Sequence, residues 1–92
     1  LNVHPSLLPK YAGGMDINVH KEVLKNKEKE TGCTIHFVTD EVDCGPIFIQ
    51  KKCMVDPEDT IETLKTKVQN LEGEAFLEAI PLFETKYILK HE

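Results

Sequence analysis

The sequence contains no tryptophan, and only 7% of its 92 residues are aromatic, so it has few of the rings on which nucleic-acid bases stack. Sixteen acidic residues outnumber eleven basic ones, which gives a formal net charge of −5, and no basic stripe runs along the chain. This balance argues against a nucleic-acid partner. No apolar run approaches the ~18–20 residues that span a bilayer, which argues against a membrane partner.

Cysteines are few, and their spacing excludes two common uses. Cys33, Cys44 and Cys53 are odd in number and form no C-x-x-C pair, so we expect reduced thiols in the cytoplasm rather than a disulfide framework. The four histidines form no H-E-x-x-H or i,i+4 pair, so no metal site is expected. No G-x-G-x-x-G or Walker loop is present to bind a phosphate.

The length allows one small domain, and we treat residues 1–92 as a single segment. The chain begins at Leu1, on residues that have the pattern of a strand end. We therefore expect it to be the C-terminal part of a larger domain.

The apolar pattern predicts a short strand, a helix, two strands, a long helix and a final strand, which is an α/β order. The expected elements are Leu1 to His4, Asp16 to about Asn26, Cys33 to Val38, Ile47 to Val55, a helix after Asp56-Pro57, and a strand in KYILK.

Several element ends depend on single residues. Asp16 is expected to cap the first helix, and either Asp56 or Thr60 the second. Pro81 is expected to kink or end the second helix, since proline lacks an N–H group. The charged segment from Lys25 to Gly32 is expected to be an exposed turn. The apolar face of the first helix is predicted to contain Ile17, His20, Val23 and Leu24.

Two polar residues stand where the first strand ends. Asn2 and His4 are two positions apart, so they project from the same side of a strand. Ligands of open α/β sheets bind at the carboxyl ends of strands, where this pair would lie. His4 can exchange a proton near neutral pH, and the Asn2 amide can donate to a carbonyl oxygen that gains charge. Alternatively, Asn2 bonds neighbouring backbone and His4 is a hydrogen-bonded core residue.

An acidic loop follows the second strand and is a further candidate. It contains Asp40, Glu41 and Asp43, and a carboxylate beside an imidazole can orient it or act as a base through water. The loop could equally be a solvated turn. His36 lies in the second strand, where a histidine is more often structural than catalytic. On that strand Cys33, Ile35 and Phe37 are predicted on one face, and Thr34, His36 and Val38 on the other.

Two blocks of sequence, NVHPSLLPKY and GCTIHFVTDEVDCGPIFIQ, closely resemble the folate-dependent formyltransferases, and in particular their purine-synthesis branch. The resemblance covers essentially the whole chain. It implies the C-terminal half of a formyltransferase-type open, Rossmann-like mixed sheet with flanking helices. It also implies transfer of a formyl group from 10-formyltetrahydrofolate, the co-substrate, to the amine of glycinamide ribonucleotide, with both small molecules as partners and no metal.

The family's catalytic residues fall, by this resemblance, on Asn2, His4 and Asp43. Asn2 would hold the formyl oxygen, and protonated His4 would stabilise the tetrahedral oxyanion. Asp43 would favour the protonated form of His4 and, through an ordered water, help to move a proton from the attacking amine to the leaving folate nitrogen.

Further residues are implied as binding residues. The stretch Thr39, Asp40, Glu41 and Val42 would contact the pteridine ring through its backbone, and His36 would lie near the active centre. Gln69 and Glu72, three positions apart on the long helix and facing away from much of its apolar ridge, would meet the ribose hydroxyls. Two departures from the family pattern are Cys44, where a Gly or small residue is common, and the lack of the phosphate-binding half upstream of Leu1.

Two alternatives to this function stay open on the sequence. A formyltetrahydrofolate hydrolase would use the same three residues with water as the acceptor. A catalytically incomplete segment would serve only as a binding or dimerising module, and a homodimer is compatible with the primary reading too.

Overall fold

A computed structural model of the chain describes residues 1–39 and 45–85. In chain order its elements are β1 (Asn2–His4), α1 (Asp16–Lys25), β2 (Glu30–His36), β3 (Ile47–Met54) and α2 (Ile61–Phe83). The strands form one sheet in the order β1-β2-β3, and both pairings are antiparallel. The predicted α/β class is confirmed, and these five elements follow in the predicted order. The predicted KYILK strand lies outside the described residues.

The sheet has one apolar and one polar face, because directly opposed residues of antiparallel strands project to the same side. One row across the three strands is apolar and consists of Val3, Ile35 and Ile49. The next row is polar and consists of His4, Thr34 and Gln50. Helix α2 packs against the apolar face and forms the main core with it. The buried members of that core are Cys33, Ile35, Val68, Ala75 and Ala79.

The central strand β2 begins at Glu30, so the prediction of an exposed turn up to Gly32 is wrong for the last three residues. Glu30, Thr31 and Gly32 pair with β3 despite their polar, flexible composition. A Cβ atom at Gly32 would lie only 1.8 Å from the Lys51 carbonyl oxygen, so this close backbone approach requires glycine. Every residue from Thr31 to His36 is buried, because α2 covers one face of β2 and the loop after β1 covers the other.

Helix α1 has a different cap from the one predicted. Its N-cap is Met15, which makes no side-chain capping bond, and Asp16 is the first helical residue. Its buried side chains include Val19 and Val23, which pack with Leu64 of α2, whereas Ile17 is exposed. The buried stripe is therefore rotated from the one that the sequence predicts, toward the residues that meet α2.

Helix α2 begins with the second of the two predicted caps. The Thr60 hydroxyl accepts from the Thr63 backbone N–H, and the Thr63 hydroxyl accepts from the Thr60 N–H, a reciprocal capping box. Of the two effects predicted for Pro81, a kink or an end of the helix, the second is wrong, because the helix continues past Pro81 to Phe83. The N–H group that Pro81 lacks would have bonded the Leu77 carbonyl, and Leu77 is exposed, so water can satisfy that oxygen.

Candidate active site

The end of β1 carries the two polar residues predicted there. Asn2 is opposite His36 and His4 is opposite Thr34 in the register of β1 with β2, so both project to the polar face of the sheet. Asn2 is exposed, whereas the His4 side chain is buried. This end of the sheet thus carries an exposed Asn2 and, two positions on, a buried His4.

The His4 ring is fixed by a backbone carbonyl. Its Nε2 atom lies 2.9 Å from the Tyr11 carbonyl oxygen. Because a carbonyl only accepts, Nε2 must be the donor, and the neutral ring then has its proton on Nε2 and its lone pair on Nδ1. The contact therefore selects one tautomer of His4.

Tyr11 holds its carbonyl in this position with an uncommon backbone conformation. Its φ is +59°, in the left-handed region that bulky residues rarely adopt. The phenol is anchored by the residues that follow α1: its hydroxyl donates to the Glu28 carboxylate at 3.2 Å and accepts from the Asn26 amide at 2.9 Å. Lys10 forms a 3.1 Å ion pair with the same Glu28. These contacts offset the strain at Tyr11.

The loop between β1 and Tyr11 is bonded to the polar face of the sheet at two of its residues. The Thr34 hydroxyl donates to the Ser6 carbonyl at 2.8 Å and accepts from the Leu8 N–H at 3.0 Å. The Gln50 amide donates to the Leu8 carbonyl at 2.9 Å and to the Thr34 hydroxyl at 3.0 Å. Thr34 is fully buried, so its bonds to Ser6 and Leu8 are shielded from water.

The loop after β2 begins and ends at the same place as this site. Phe37 N–H donates to the Pro46 carbonyl at 3.0 Å, which brings the two ends of the loop together. A Cβ atom at Gly45 would lie 1.7 Å from the Phe37 carbonyl oxygen, so glycine is required where the loop returns. His36 is buried beside these ends, with Nδ1 3.2 Å from the Phe37 carbonyl, and Thr39 is exposed. His36 is opposite Asn2 in the register of β1 with β2, and its predicted place near the active centre stays a prediction.

Four of the predicted loop residues lie outside the described residues. They are Asp40, Glu41, Val42 and Asp43, so the predicted contact between Asp43 and His4 stays a prediction, as does the pteridine contact.

Gln69 and Glu72 lie on α2, the helix that covers the apolar face. Gln69 is exposed, whereas Glu72 is half-buried and lies near enough to Cys33 that its charge contributes to raising the pKa of that thiol. Glu72 is therefore turned further toward the sheet than the sequence predicts. Ribose binding by these two residues stays a prediction.

The described thiols have the properties of packed core residues. Cys33 is buried and Cys53 half-buried, and both are free. Burial, followed by the nearby charge of Glu72, raises the pKa of Cys33 to about 11, and burial also raises the pKa of Cys53. Both thiols are therefore protonated near neutral pH and are poor nucleophiles.

Other kinds of site are not seen near His4 in the part of the chain that the structure describes. Within residues 1–39 and 45–85, no group of three or more His, Cys, Asp or Glu side chains could hold a metal ion. Neither helix of this part of the chain is long and apolar enough to cross a membrane. A cavity of about 450 Å³ opens at the other end of the sheet, between the C-terminal end of α1 and Val55, Asp56 and Pro57.

Sequence reasoning missed the residues that hold His4 and its loop. The oxygen that contacts His4 belongs to the backbone of Tyr11, and nothing in the sequence predicts a left-handed backbone conformation at a tyrosine. Thr34 and Gln50 did leave a signal, since each interrupts an apolar strand, but their partners Ser6 and Leu8 are between 26 and 42 positions away.

Known proteins resemble this chain over most of its length. Residues 1–80 match the family model described as formyl transferase. The trifunctional purine biosynthetic protein adenosine-3 of Gallus gallus is 48% identical over 82 residues, which are 89% of this chain and 8% of that protein. The phosphoribosylglycinamide formyltransferase of Escherichia coli K12 is 39% identical over 92 residues, which are 100% of this chain and 42% of that protein.

A solved structure gives the same result for the fold. The crystal structure of phosphoribosylglycinamide formyltransferase from Anaplasma phagocytophilum superposes with a TM-score of 0.85 at 35% identity, covering 92% of this chain and 40% of that one. The chain thus spans less than half the length of these relatives. The match of residues 1–80 includes β1, the loop after it, β2, β3 and most of α2, and it confirms the resemblance seen in the sequence. The chain belongs to the formyl transferase family.

Proposed function

We propose that this chain supplies the Asn2–His4 side of a folate-dependent formyltransferase active site. The enzyme would transfer a formyl group from 10-formyltetrahydrofolate to the amine of glycinamide ribonucleotide in purine biosynthesis. The observation that carries the proposal is the buried His4, held in one tautomer by the Tyr11 carbonyl, beside the exposed amide of Asn2. The names of the Gallus gallus and Escherichia coli relatives support the choice of reaction.

The reaction requires one bond to form and one to break. The amine nitrogen of the nucleotide attacks the formyl carbon, and the formyl oxygen takes the charge of a tetrahedral intermediate. The bond from that carbon to the folate nitrogen then breaks, giving formylated nucleotide and tetrahydrofolate. One proton leaves the attacking amine and one reaches the departing folate nitrogen, so the exchange balances without a metal.

Each of the three residues has a task in these steps. The Asn2 amide donates to the formyl oxygen as it gains charge, which is the place where a preorganised donor acts most strongly. Protonated His4 stabilises the same oxyanion and assists the movement of the proton. Asp43, with an ordered water, moves the proton from the amine to the folate nitrogen.

The remaining predicted residues bind the substrates. The backbone from Thr39 to Val42 would contact the pteridine ring, beside His36, and Gln69 and Glu72 would bond the ribose. A phosphate-binding half, which the family resemblance implies upstream of Leu1, would complete the site. We further propose the cytoplasm as location, the two small molecules as partners, and neither nucleic acid nor membrane as a partner.

The proposal can be tested in a chimera. This chain replaces the matching segment of the Escherichia coli enzyme, and formylated glycinamide ribonucleotide is measured in the presence of 10-formyltetrahydrofolate. We expect amine-dependent turnover, and its loss in His4→Ala. Formate release that needs no amine would favour a hydrolase instead. Neither product, with size that depends on concentration for the chain by itself, would favour a binding or dimerising module.

A further inference from the structure

We propose that Thr34 and Gln50 are positioning residues for His4, and that they act through the loop from Ser6 to Tyr11. The inference rests on the proposed formyl transfer for its effect on rate, but its structural part can be tested without it. The two side chains form what we call the polar clamp, defined as Thr34, Gln50 and the backbone of Ser6 and Leu8 that they bond.

The Thr34 hydroxyl uses its donor and both acceptor positions in the polar clamp, and the Gln50 amide uses both of its N–H groups. A threonine hydroxyl has one donor and two acceptor positions, and Thr34 uses the donor on Ser6 and the two acceptors on Leu8 and Gln50. The Gln50 amide has two N–H groups, and it directs one at the Leu8 carbonyl and one at the Thr34 hydroxyl. Both the N–H and the C=O of Leu8 are thereby held by side chains, as a neighbouring strand would hold them.

The clamp lies in the same row of the sheet as His4. His4 is opposite Thr34, and Thr34 is opposite Gln50, so the three residues share the polar face. The loop that the clamp holds has internal bonds of its own, from the Ser6 hydroxyl to the Lys10 carbonyl at 2.5 Å and from the Lys10 N–H to the Leu7 carbonyl at 3.1 Å. These bonds fix the position of Tyr11, whose carbonyl oxygen accepts the hydrogen bond from His4 Nε2–H.

Breaking the polar clamp is expected to move the loop and, through it, the carbonyl that orients the His4 ring. Removing the Thr34 hydroxyl leaves the Ser6 carbonyl and Leu8 N–H without their buried partner, so the loop shifts and the Tyr11 carbonyl moves from Nε2. His4 itself keeps its side chain and its place on β1. The defect is therefore one of orientation, which lowers the rate of the chemical step more than the binding of substrates.

The experiment compares four variants, three at buried threonines and one at Gln50. Thr34→Val keeps the shape and loses the hydroxyl, whereas Thr34→Ser keeps the hydroxyl. Thr31→Val is the matched control, because Thr31 is a buried threonine of the same strand on the opposite face. Gln50→Glu is a second test at an exposed position; it keeps the size and replaces the two donors by acceptors.

The first readout uses the chain by itself. The ¹⁵N shifts of the His4 ring report its tautomer, and hydrogen exchange reports the Leu8 amide. We expect the Nε2–H tautomer and a protected Leu8 amide in the parent chain, Thr34→Ser and Thr31→Val. We expect a mixed tautomer and exchange faster by about 10- to 100-fold in Thr34→Val and Gln50→Glu, the range set by loss of one buried hydrogen-bond partner. An unchanged tautomer and unchanged exchange in both would overturn the proposal.

The second readout is turnover in the chimera. We expect kcat to fall by about 10- to 100-fold in Thr34→Val with each KM within about twofold, and Thr34→Ser to restore most of it. A kcat within twofold of the parent, or an equal loss in Thr34→Ser, would overturn the positioning role. A parent chimera without formyl transfer would refute the proposed function, while the tautomer and the Leu8 amide would still decide whether the clamp orients His4.

Discussion

Replacing Gly32 with alanine is expected to break the pairing of β2 with β3. The new Cβ atom would lie 1.8 Å from the Lys51 carbonyl oxygen and 2.9 Å from its carbonyl carbon, and both are backbone atoms. Carbon and oxygen are comfortable at about 3.3 Å or more, so the strands would have to move apart by about 1.5 Å. A ladder hydrogen bond lengthened by that amount is lost.

The cost follows from the bonds that this movement breaks. Two ladder bonds at about 1 kcal/mol each, together with about 1–3 kcal/mol for overpacking, lower the free energy of unfolding by about 3–5 kcal/mol. Alanine also lowers the conformational entropy of the unfolded chain, but this raises the free energy of unfolding by only about 0.5–1 kcal/mol. The free energy of unfolding should therefore fall by about 2–4.5 kcal/mol, a large part of the ~5–14 kcal/mol that is typical of a domain of this size.

Gly73 provides a matched control in the same chain. A Cβ atom there would meet nothing within 4 Å, and the position lies inside α2. Gly73→Ala should therefore raise the free energy of unfolding by about 0.5–1 kcal/mol, because glycine is a poor helix former.

The assay is urea unfolding of the parent chain and both variants, followed by far-UV circular dichroism. In thermal unfolding followed by the same signal, the midpoints of the two variants should move in opposite directions from that of the parent chain, by about 4–8 °C for each kcal/mol. If Gly32→Ala unfolds within 1 kcal/mol of the parent with its strand signal intact, the close approach of β2 to Lys51 is refuted. A loss of stability in Gly73→Ala would refute the open surroundings of that residue.

Three further predictions concern ionisation and catalysis. Burial raises the pKa of Cys33 from 9.0 to about 11. Roughly 2–3 kcal/mol of the free energy of unfolding therefore depends on the protonated thiol; it is present below pH 9 and lost as the pH rises through 11. The drop in the urea midpoint between pH 8.5 and 11 should accordingly be smaller in Cys33→Ala than in the parent chain. The pKa of Asp59 is lowered, chiefly by its hydrogen bond from Lys67, so the stability that its charge contributes is present above pH 3.8 and lost as the pH falls through its folded pKa. Asp59→Asn should lower the thermal midpoint at pH 7, and this effect should shrink as the pH falls below 3.8. An effect of the same size at every pH would contradict this. Asn2→Ala should reduce kcat of the chimera by about 10²–10³, whereas Asn18→Ala, on the exposed side of α1, should not; a loss below tenfold in Asn2→Ala would remove Asn2 from the oxyanion site.

The sequence predicts the elements whose signals are local. The alternation around Ile35 placed apolar and polar residues on the correct faces of β2, and the Thr60 cap precedes a long apolar stripe that forms α2. Asn2 and His4 were predicted on one side of a strand end, because alternation alone requires it, and their pairing with β2 confirms that geometry.

Other features depend on contacts that are distant in the chain. Glu30–Gly32 has the composition of a turn, and only its pairing with β3 makes it a strand. The rotation of the buried stripe of α1 away from Ile17 is set by Leu64, which lies 41 positions from Val23 and 45 from Val19. Tyr11 adopts its left-handed conformation because Glu28 and Asn26 hold the phenol, which no local propensity anticipates.

The register of the sheet also sets an order of assembly. His36 and Ile47 join β2 to β3 across eleven positions, whereas His4 and Thr34 join β1 to β2 across thirty. Closing the longer segment costs about 1 kcal/mol more entropy, and β1 contributes only three residues of pairing in return. We therefore expect β2 and β3 to pair in the transition state for folding and β1 to dock after it. Destabilising substitutions in β1 should then accelerate unfolding and leave the folding rate nearly unchanged. The strand that carries Asn2 and His4 is therefore expected to pair last during folding and to separate first during unfolding.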